Sequence, residues 1–312
     1  MASFARFFYS QLFITPPPPK ADLTGKTVLV TGSNTGLGKE AARHYVSLNA
    51  STVILAVRSL EKGEAAAKDI ETTTGRQNVI KVLHLDMSSY QSVLDFTSTI
   101  SKEVDRLDIA ILNAGVNRGV WELFEQDEST ITVNVVSTFL LFFSLLPKLQ
   151  DTANKFNVRP TLTVVSSEVH QWTGFSERKA PEGELFERLR EYKLMEVLVV
   201  REFCGRNKSG ECPVTVNTVN PGLCHSEFGR EAPFVAAILR FFLARTTEVG
   251  SRTLVHAGLQ GEETHGEYLS NCEITEPSTY VRSEEGKRDQ ERVWRELMAK
   301  LEGIKAGITE GC

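Results

Sequence analysis

The sequence predicts a single α/β domain built on a Rossmann-like, doubly wound parallel sheet, and three observations predict it. Short β-branched runs alternate with amphipathic stretches along most of the chain. The first of those runs ends in a glycine-rich turn. No fixed-period repeat and no linker divides the chain after residue 19. Continuous apolar runs suit strands covered on both faces, and strand–helix alternation leads to right-handed crossovers between parallel strands.

The elements follow in order. Residues 27–30 (TVLV) read as the first strand, 37–48 as a helix, 52–57 (TVILAV) as the second strand and 60–73 as a charged helix. Strand 79–85, helix 90–103 and strand 108–112 come next. A helix, strand 161–165, a long loop, a further helix and strand 214–219 complete the repetition. The apolar run at 133–146 is interrupted by Asn134, Ser137, Thr138 and Ser144. It falls short of the roughly 18 clean apolar residues of a membrane span, which predicts a buried helix with a face for a second subunit. Residues 283–300 carry many charges, with Val293, Trp294, Leu297 and the adjoining Leu301 on one side. They read as a solvated helix docked on the body.

Composition narrows the function classes. The chain has 312 residues, 41% hydrophobic and 24% charged, an ordinary globular balance that excludes disordered and collagen-like chains. Lys+Arg 35 against Asp+Glu 40 gives a formal charge of -5, so no basic excess points to nucleic acid. The cysteines (Cys204, Cys212, Cys224, Cys272, Cys312) form neither a C-x-x-C pair nor a zinc-ligand cluster. They read as reduced thiols, and the expected location is cytoplasmic.

The N-terminus stands apart. Phe4, Phe7, Phe8, Tyr9, Leu12, Phe13 and Ile14 precede a run of prolines at 16–19, with Arg6 the one charged side chain before them. A signal peptide would need a longer unbroken apolar region. The arm either packs on the body or on a second subunit, or lies in a membrane interface as a weak peripheral anchor. The expected organisation is therefore an arm over 1–20, a dinucleotide-binding and catalytic domain over 21–280, and a charged helix and tail over 281–312.

Several segments could carry chemistry. Gly32, Ser33, Asn34, Gly36, Leu37 and Gly38 lie in TGSNTGLG, between the first strand and its helix. Such a turn brings backbone N–H groups and a helix N-terminus to a pyrophosphate, and glycines permit the close approach. Arg58 follows the second strand, where an acidic residue would grip the ribose of NAD. With Lys62 it favours the 2′-phosphate of NADP, unless both are solvated surface charges. Asp86 follows the third strand, suited to the adenine amino group. Asn113, Ala114 and Gly115 follow the fourth, leaving room for a cofactor.

Together with Asn134, Ser166–Ser167 and Pro221–Gly222, these motifs make residues 23–279 resemble the short-chain dehydrogenase/reductase family. The stretches FFYSQLF, VTGSNTGLG, VVSSEVH and NPGLCHSEF are most similar to its fungal, retinol-dehydrogenase-like members. The resemblance implies an NADP(H)-dependent oxidoreductase of secondary metabolism, expected as a homodimer. It implies that Ser167 binds the substrate oxygen and that Lys193 holds the nicotinamide ribose and lowers a tyrosine's pKa. Asn134 would steady that lysine through a water. Pro221, Gly222, Cys224 and Ser226 would line the nicotinamide amide and diphosphate. The apolar residues from Phe228 to Leu243 would form the substrate lid, implying an apolar small molecule.

One departure is consequential. The family's pattern is Y-x-x-x-K, yet Leu189 stands four residues before Lys193, and the nearby phenol, Tyr192, immediately precedes it. On a continuous helix an offset of one lies about 60° around and about 4.5 Å along from an offset of four. Tyr192 regains the tyrosine's place if the helix begins at Lys193 or the preceding turn is not helical. Otherwise a leucine or an unrelated side chain occupies it and redox turnover is strongly impaired. His170 and His225 are candidate substitute acids, against the plainer reading of structural or surface histidines. The leading function is an oxidoreductase interconverting a ketone or aldehyde and an alcohol. The alternatives are a redox-silent scaffold for isomerisation, dehydration or cyclisation, and a non-catalytic cofactor- or partner-binding subunit.

Overall fold

The computed structural model describes residues 2–117, 120–172, 174–189, 192–225 and 243–310. Its helices are α1 (Ala2–Phe13), α2 (Gly36–Ser47), α3 (Leu60–Thr74), α4 (Tyr90–Glu103), α5 (Ser129–Ile131), α6 (Thr138–Phe156), α7 (Leu185–Arg188), α8 (Tyr192–Arg206), α9 (Thr247–Gly258) and α10 (Glu284–Ile304). The strands are β1 (Thr27–Thr31), β2 (Thr52–Val57), β3 (Ile80–His84), β4 (Ile109–Leu112), β5 (Leu123–Phe124), β6 (Asp127–Glu128), β7 (Thr161–Val165), β8 (Thr215–Asn220), β9 (Tyr268–Ser270) and β10 (Glu273–Thr275). Eight of them form one sheet in the order β10-β9-β8-β7-β4-β1-β2-β3, while β5 and β6 pair separately. Neighbours in the large sheet are parallel except β9 with β10. This is the doubly wound α/β fold that the alternation predicts.

The strands divide their side chains between two cores. Val28 and Val30 of β1 join Val53, Leu55, Ile109 and Ile111 in the layer shared with α2, α3 and α9. Leu29 between them joins Ile54, Ala110, Leu162 and Val164 in the layer shared with α4, α6, α8 and α10. Alternate residues of a strand point to opposite faces, so a continuous apolar run is what a sheet covered on both sides requires. Each fully buried leucine or valine of this kind contributes about 1.5–3 kcal/mol.

The apolar run at 133–146 belongs to a helical stretch, Ser129–Phe156, long and apolar enough to cross a membrane, but 94% of its most apolar window is buried inside the protein. The core explains its composition. Its start is unusual: Thr132–Ser137 forms a π-turn that carries Asn134, a geometry that often marks functional positions. The sequence pattern does not reveal α9, β9 or β10, and it leaves the helicity of the arm open. The strands β9 and β10 have three residues each, too few for a periodicity to register.

The arm docks on the body. Ser10 and Gln11 are buried, whereas Phe8, Tyr9, Leu12 and Phe13 face outward. In α10, Val293, Trp294, Leu297 and Leu301 are buried, as the amphipathic pattern requires. The prolines lead from α1 to the amino edge of the sheet. A cavity of about 360 Å³ lies there between Pro17, Lys26, His256 and Gln260. Ligands of open α/β sheets bind at the opposite, carboxyl edge.

Candidate active site

At the carboxyl end of β1 the glycines are required by contact. A Cβ on Gly38 would fall 2.6 Å from Asn113 Nδ2 and 2.6 Å from the Gly32 carbonyl, and one on Gly32 would fall 2.9 Å from Ala114 Cα. Gly32 also has φ +65°. Thr31 Oγ1 accepts from the N–H groups of Asn113 and Ala114 at 2.9 and 2.8 Å, and Asn113 Nδ2 donates to Thr31 O at 2.9 Å. These bonds join the turns after β1 and β4. Thr31 opens the glycine-rich motif, yet its part in that junction is not legible from the motif alone.

Helix α2 starts behind this turn without a side-chain cap at Thr35. By contrast, the hydroxyls of Ser59, Ser89, Thr246 and Ser283 accept from helix N–H groups. Ser33 is fully buried and its Oγ donates to Val30 O at 2.9 Å. Its side chain is therefore turned into the fold. A small-residue cradle ending in uncapped N–H groups fits a dinucleotide pyrophosphate.

Arg58 and Lys62 are both exposed beyond β2, and Lys62 N donates to Ser59 Oγ in the cap of α3. Asp86 is half-buried after β3, where its Oδ1 accepts from Ser88 N at 2.9 Å and Ser88 Oγ at 2.7 Å. All three follow carboxyl ends of strands, on the edge that holds the glycine cradle.

The catalytic candidates gather after β7. Lys193 lies in the first turn of α8, and its Nζ donates to Val165 O at 2.9 Å and to Glu196 Oε1 at 2.8 Å. Ser166 Oγ donates to Lys193 O at 3.0 Å, and the adjoining Ser167 is half-buried. Lys193 Nζ lies 5.5 Å from the centre of the Tyr192 ring. Tyr192 is the first described residue of α8 and is partly buried against the core.

Leu189 has extended geometry (φ -62°, ψ 140°) at the end of α7 and is 1% exposed. Counting back four residues presumes one continuous helix, and Leu189 is not on α8. The count of four therefore does not describe one turn of a single helix here.

The Asn134 carboxamide accepts from Val116 N at 2.9 Å and donates to Val116 O at 2.7 Å. It pins the loop after β4. His170 is 1% exposed, accepts from Ser278 N at Nε2 and donates from Nδ1 to Ser167 O at 2.6 Å. Burial holds its pKa below the usual value. With both nitrogens engaged, it is a structural histidine and not a substitute acid. His225 is exposed, and its backbone N–H donates to Arg245 O.

After β8, Pro221 is buried and Gly222 adopts φ +77°. Cys224 is buried, with Sγ directed at Pro221 O and Gly222 O at 3.5 and 3.6 Å. The thiol braces its own loop. Ser226 and the expected lid as far as Phe242 lie outside the described residues.

Two polar residues here escape the sequence motifs. Asn220 Oδ1 accepts from Gly222 N at 3.0 Å and Glu168 N at 3.2 Å, joining the loops after β8 and β7. The dipeptide Asn-Pro before a glycine carries that signal. Glu196 is 2% exposed, and burial pushes its carboxyl up to about 7 against the opposing pull of Lys193. Its spacing of three from Lys193 on one helix is the signal for the pair.

A family model described as short chain dehydrogenase matches residues 26–158. The chain is 52% identical to the short chain dehydrogenase/reductase dmxR8 of Cryptosporiopsis sp., over 97% of this chain and 98% of that protein. It is 40% identical to the short-chain dehydrogenase anuD of Penicillium roqueforti, over 97% of this chain and 84% of that one. A short-chain type dehydrogenase/reductase from Mycobacterium marinum shares the fold with a TM-score of 0.63 at 20% identity, over 80% of this chain and 94% of that one. A short chain dehydrogenase from Shigella flexneri, solved in complex with NADP, gives a TM-score of 0.58 at 22% identity, over 80% and 98% of the two chains.

Proposed function

The chain belongs to the short-chain dehydrogenase/reductase family and is an oxidoreductase of that kind, and on this premise we propose its reaction and cofactor. It is an NADP(H)-dependent enzyme that interconverts a ketone or aldehyde with an alcohol on an apolar small molecule of fungal secondary metabolism. The observation that carries this reading is Lys193 beyond β7, bonded through its carbonyl to Ser166, the neighbour of Ser167, with its Nζ 5.5 Å from the centre of the Tyr192 ring, on the same sheet edge as the glycine cradle. Arg58, exposed beyond β2, favours the 2′-phosphate of NADP over the bare ribose of NAD.

The bound nicotinamide supplies or accepts the hydride. The chain's own groups handle the oxygen. Ser167 donates a hydrogen bond to the substrate carbonyl, and the Tyr192 phenol exchanges a proton with that oxygen. The Lys193 ammonium stabilises the phenolate form, and Val165 O and Glu196 hold that ammonium in place. Asn134 keeps the loop after β4 fixed through Val116.

The test is substrate-dependent oxidation of NADPH across a panel of aromatic and aliphatic ketones and aldehydes. In Tyr192→Phe, kcat is expected to fall at least about 100-fold with NADPH affinity unchanged. Undiminished turnover in that variant would end the role of Tyr192. A second reading is favoured by the departure from Y-x-x-x-K, since no tyrosine stands four residues before Lys193. It is a redox-silent scaffold that binds NADP and catalyses isomerisation, dehydration or cyclisation, recognised by NADPH binding without oxidation by any carbonyl.

The same proposal includes a cytoplasmic homodimer without affinity for nucleic acid. Weak membrane association is supported by the outward aromatic face of α1, where Tyr9 is 60% and Phe13 72% exposed.

A further inference from the structure

Helix α1 is separated from β1 by the proline run, yet it docks beside the loops that bear the candidate site. Arg245 makes the junction. Its Nη2 donates to the carbonyls of Ser10 at 2.7 Å and Ile14 at 3.0 Å, and to Asn271 Oδ1 at 2.7 Å. Ser10 O also accepts from Ile14 N at 3.2 Å, and carbonyls at a helix C-terminus carry partial negative charge, so a guanidinium suits them. The backbone of Arg245 meanwhile pairs with the loop after β8: its N–H donates to Leu223 O at 2.8 Å, and its carbonyl accepts from His225 N at 2.9 Å. One residue thus ties the arm, the Pro221–Gly222 loop and the turn after β9.

Gln11 makes a second junction. With its amide nitrogen toward the carbonyls of Leu223 (3.1 Å) and Leu243 (3.2 Å), its oxygen accepts from Leu223 N at 3.2 Å. The same side chain closes the space beside Gly222, where a Cβ would lie 2.6 Å from the Gln11 amide and 3.0 Å from Arg245 Nη1. Phe7 extends the contact to the loop after β7, its ring edge-on to Trp172 at 5.1 Å between centres. Gln11 and Arg245 are both at least nine-tenths buried, which removes them from the ordinary run of surface hydrogen bonds.

We propose that the N-terminal helix is a working part of the cofactor site, in which Gln11 and Arg245 are positioning residues that hold the Pro221–Leu223 loop in the shape that receives the nicotinamide end of NADP(H). The inference rests on the cofactor reading above, which assigns that loop to the nicotinamide. Neither residue touches the adenosine end, which belongs to the turns after β1, β2 and β3. The arm therefore controls one end of the cofactor and not the other.

A pair of ligands separates the two ends. NADPH spans the whole site, whereas 2′,5′-ADP carries the adenosine and its 2′-phosphate without the nicotinamide. Full-length wild type, Gln11→Ala and Arg245→Met are titrated with each ligand by fluorescence or calorimetry. Losing these bonds should weaken NADPH binding roughly tenfold in both variants and leave 2′,5′-ADP within about twofold of wild type. An unchanged NADPH affinity in either variant overturns the inference. So does a loss shared equally by 2′,5′-ADP, which would mark a merely structural role; Gln11→Ala keeps the test open if Arg245→Met fails to fold. Wild-type protein that binds neither ligand overturns the cofactor reading itself, a result distinct from the other two.

Discussion

Gly38 and Lys193 stand on the same sheet edge, and their surroundings are built in opposite ways. Around β1 and β4 the site is shaped by missing atoms: Gly32, Gly38 and Ala114 meet at distances that admit no further carbon. Around β7 and β8 it is shaped by polar groups that already hold one another. Lys193 sits between Val165 and Glu196, His170 between Ser167 and Ser278, and Asn220 between Glu168 and Gly222. The first construction is sensitive to volume and indifferent to pH. The second is sensitive to charge state, because burial has shifted the groups that compose it.

The largest expected effect strikes the first construction. Gly38→Val forces atoms against Asn113 and the Gly32 carbonyl, and NADPH affinity should fall at least about 100-fold throughout the neutral range. A titration showing less than about a tenfold loss would mean that the cradle yields, and the contrast would collapse.

Next comes Glu196. Its native pKa of about 7 lies above the ordinary 4.5, so between those values the folded protein holds a proton that the unfolded chain has released. Stability from this group is present below about 4.5 and is lost as pH rises toward 7, a difference on the order of 2–3 kcal/mol. Glu196→Gln removes the titration. Urea denaturation at about pH 5 and about pH 8 should therefore show the variant gaining on wild type as pH rises. Equal pH dependence in the two proteins would remove Glu196 from the account.

The smallest effect lies at the exposed end. Arg58→Asp should shift the NADPH/NADH affinity ratio toward NADH by about tenfold, since the charge sits in solvent and its phosphate contact is correspondingly modest. An unaltered ratio would return Arg58 to the solvated surface.

The same contrast explains how much was legible in the sequence. A glycine that must be small leaves its mark at one position, and the strand before it and helix after it leave theirs close by. The turn at residues 31–38 and the run Val53 to Val57 could be read locally. Lys193 could be read too, but the environment around it could not. Leu189 counts as the tyrosine's substitute only while a continuous helix is assumed, and the chain leaves helical geometry there. Arg245 and Gln11 draw their meaning from partners distant in sequence, and no spacing rule links them. The bond from the Asn134 side chain to Val116 was not legible, because a π-turn alters which neighbours a side chain meets.

The bond from Arg245 to Ser10 spans 235 residues, and that separation has a consequence for the order of assembly. A ribosome adding about 5–20 residues per second delivers α1 first and its arginine on the order of ten to fifty seconds later. Throughout that interval the aromatic helix lacks its complete docking site, and the early strands can pair without it. The hydrogen bonds that complete the Pro221–Leu223 loop form near the end of synthesis. A chain released before residue 245 therefore carries an aromatic N-terminus without the arginine that docks it.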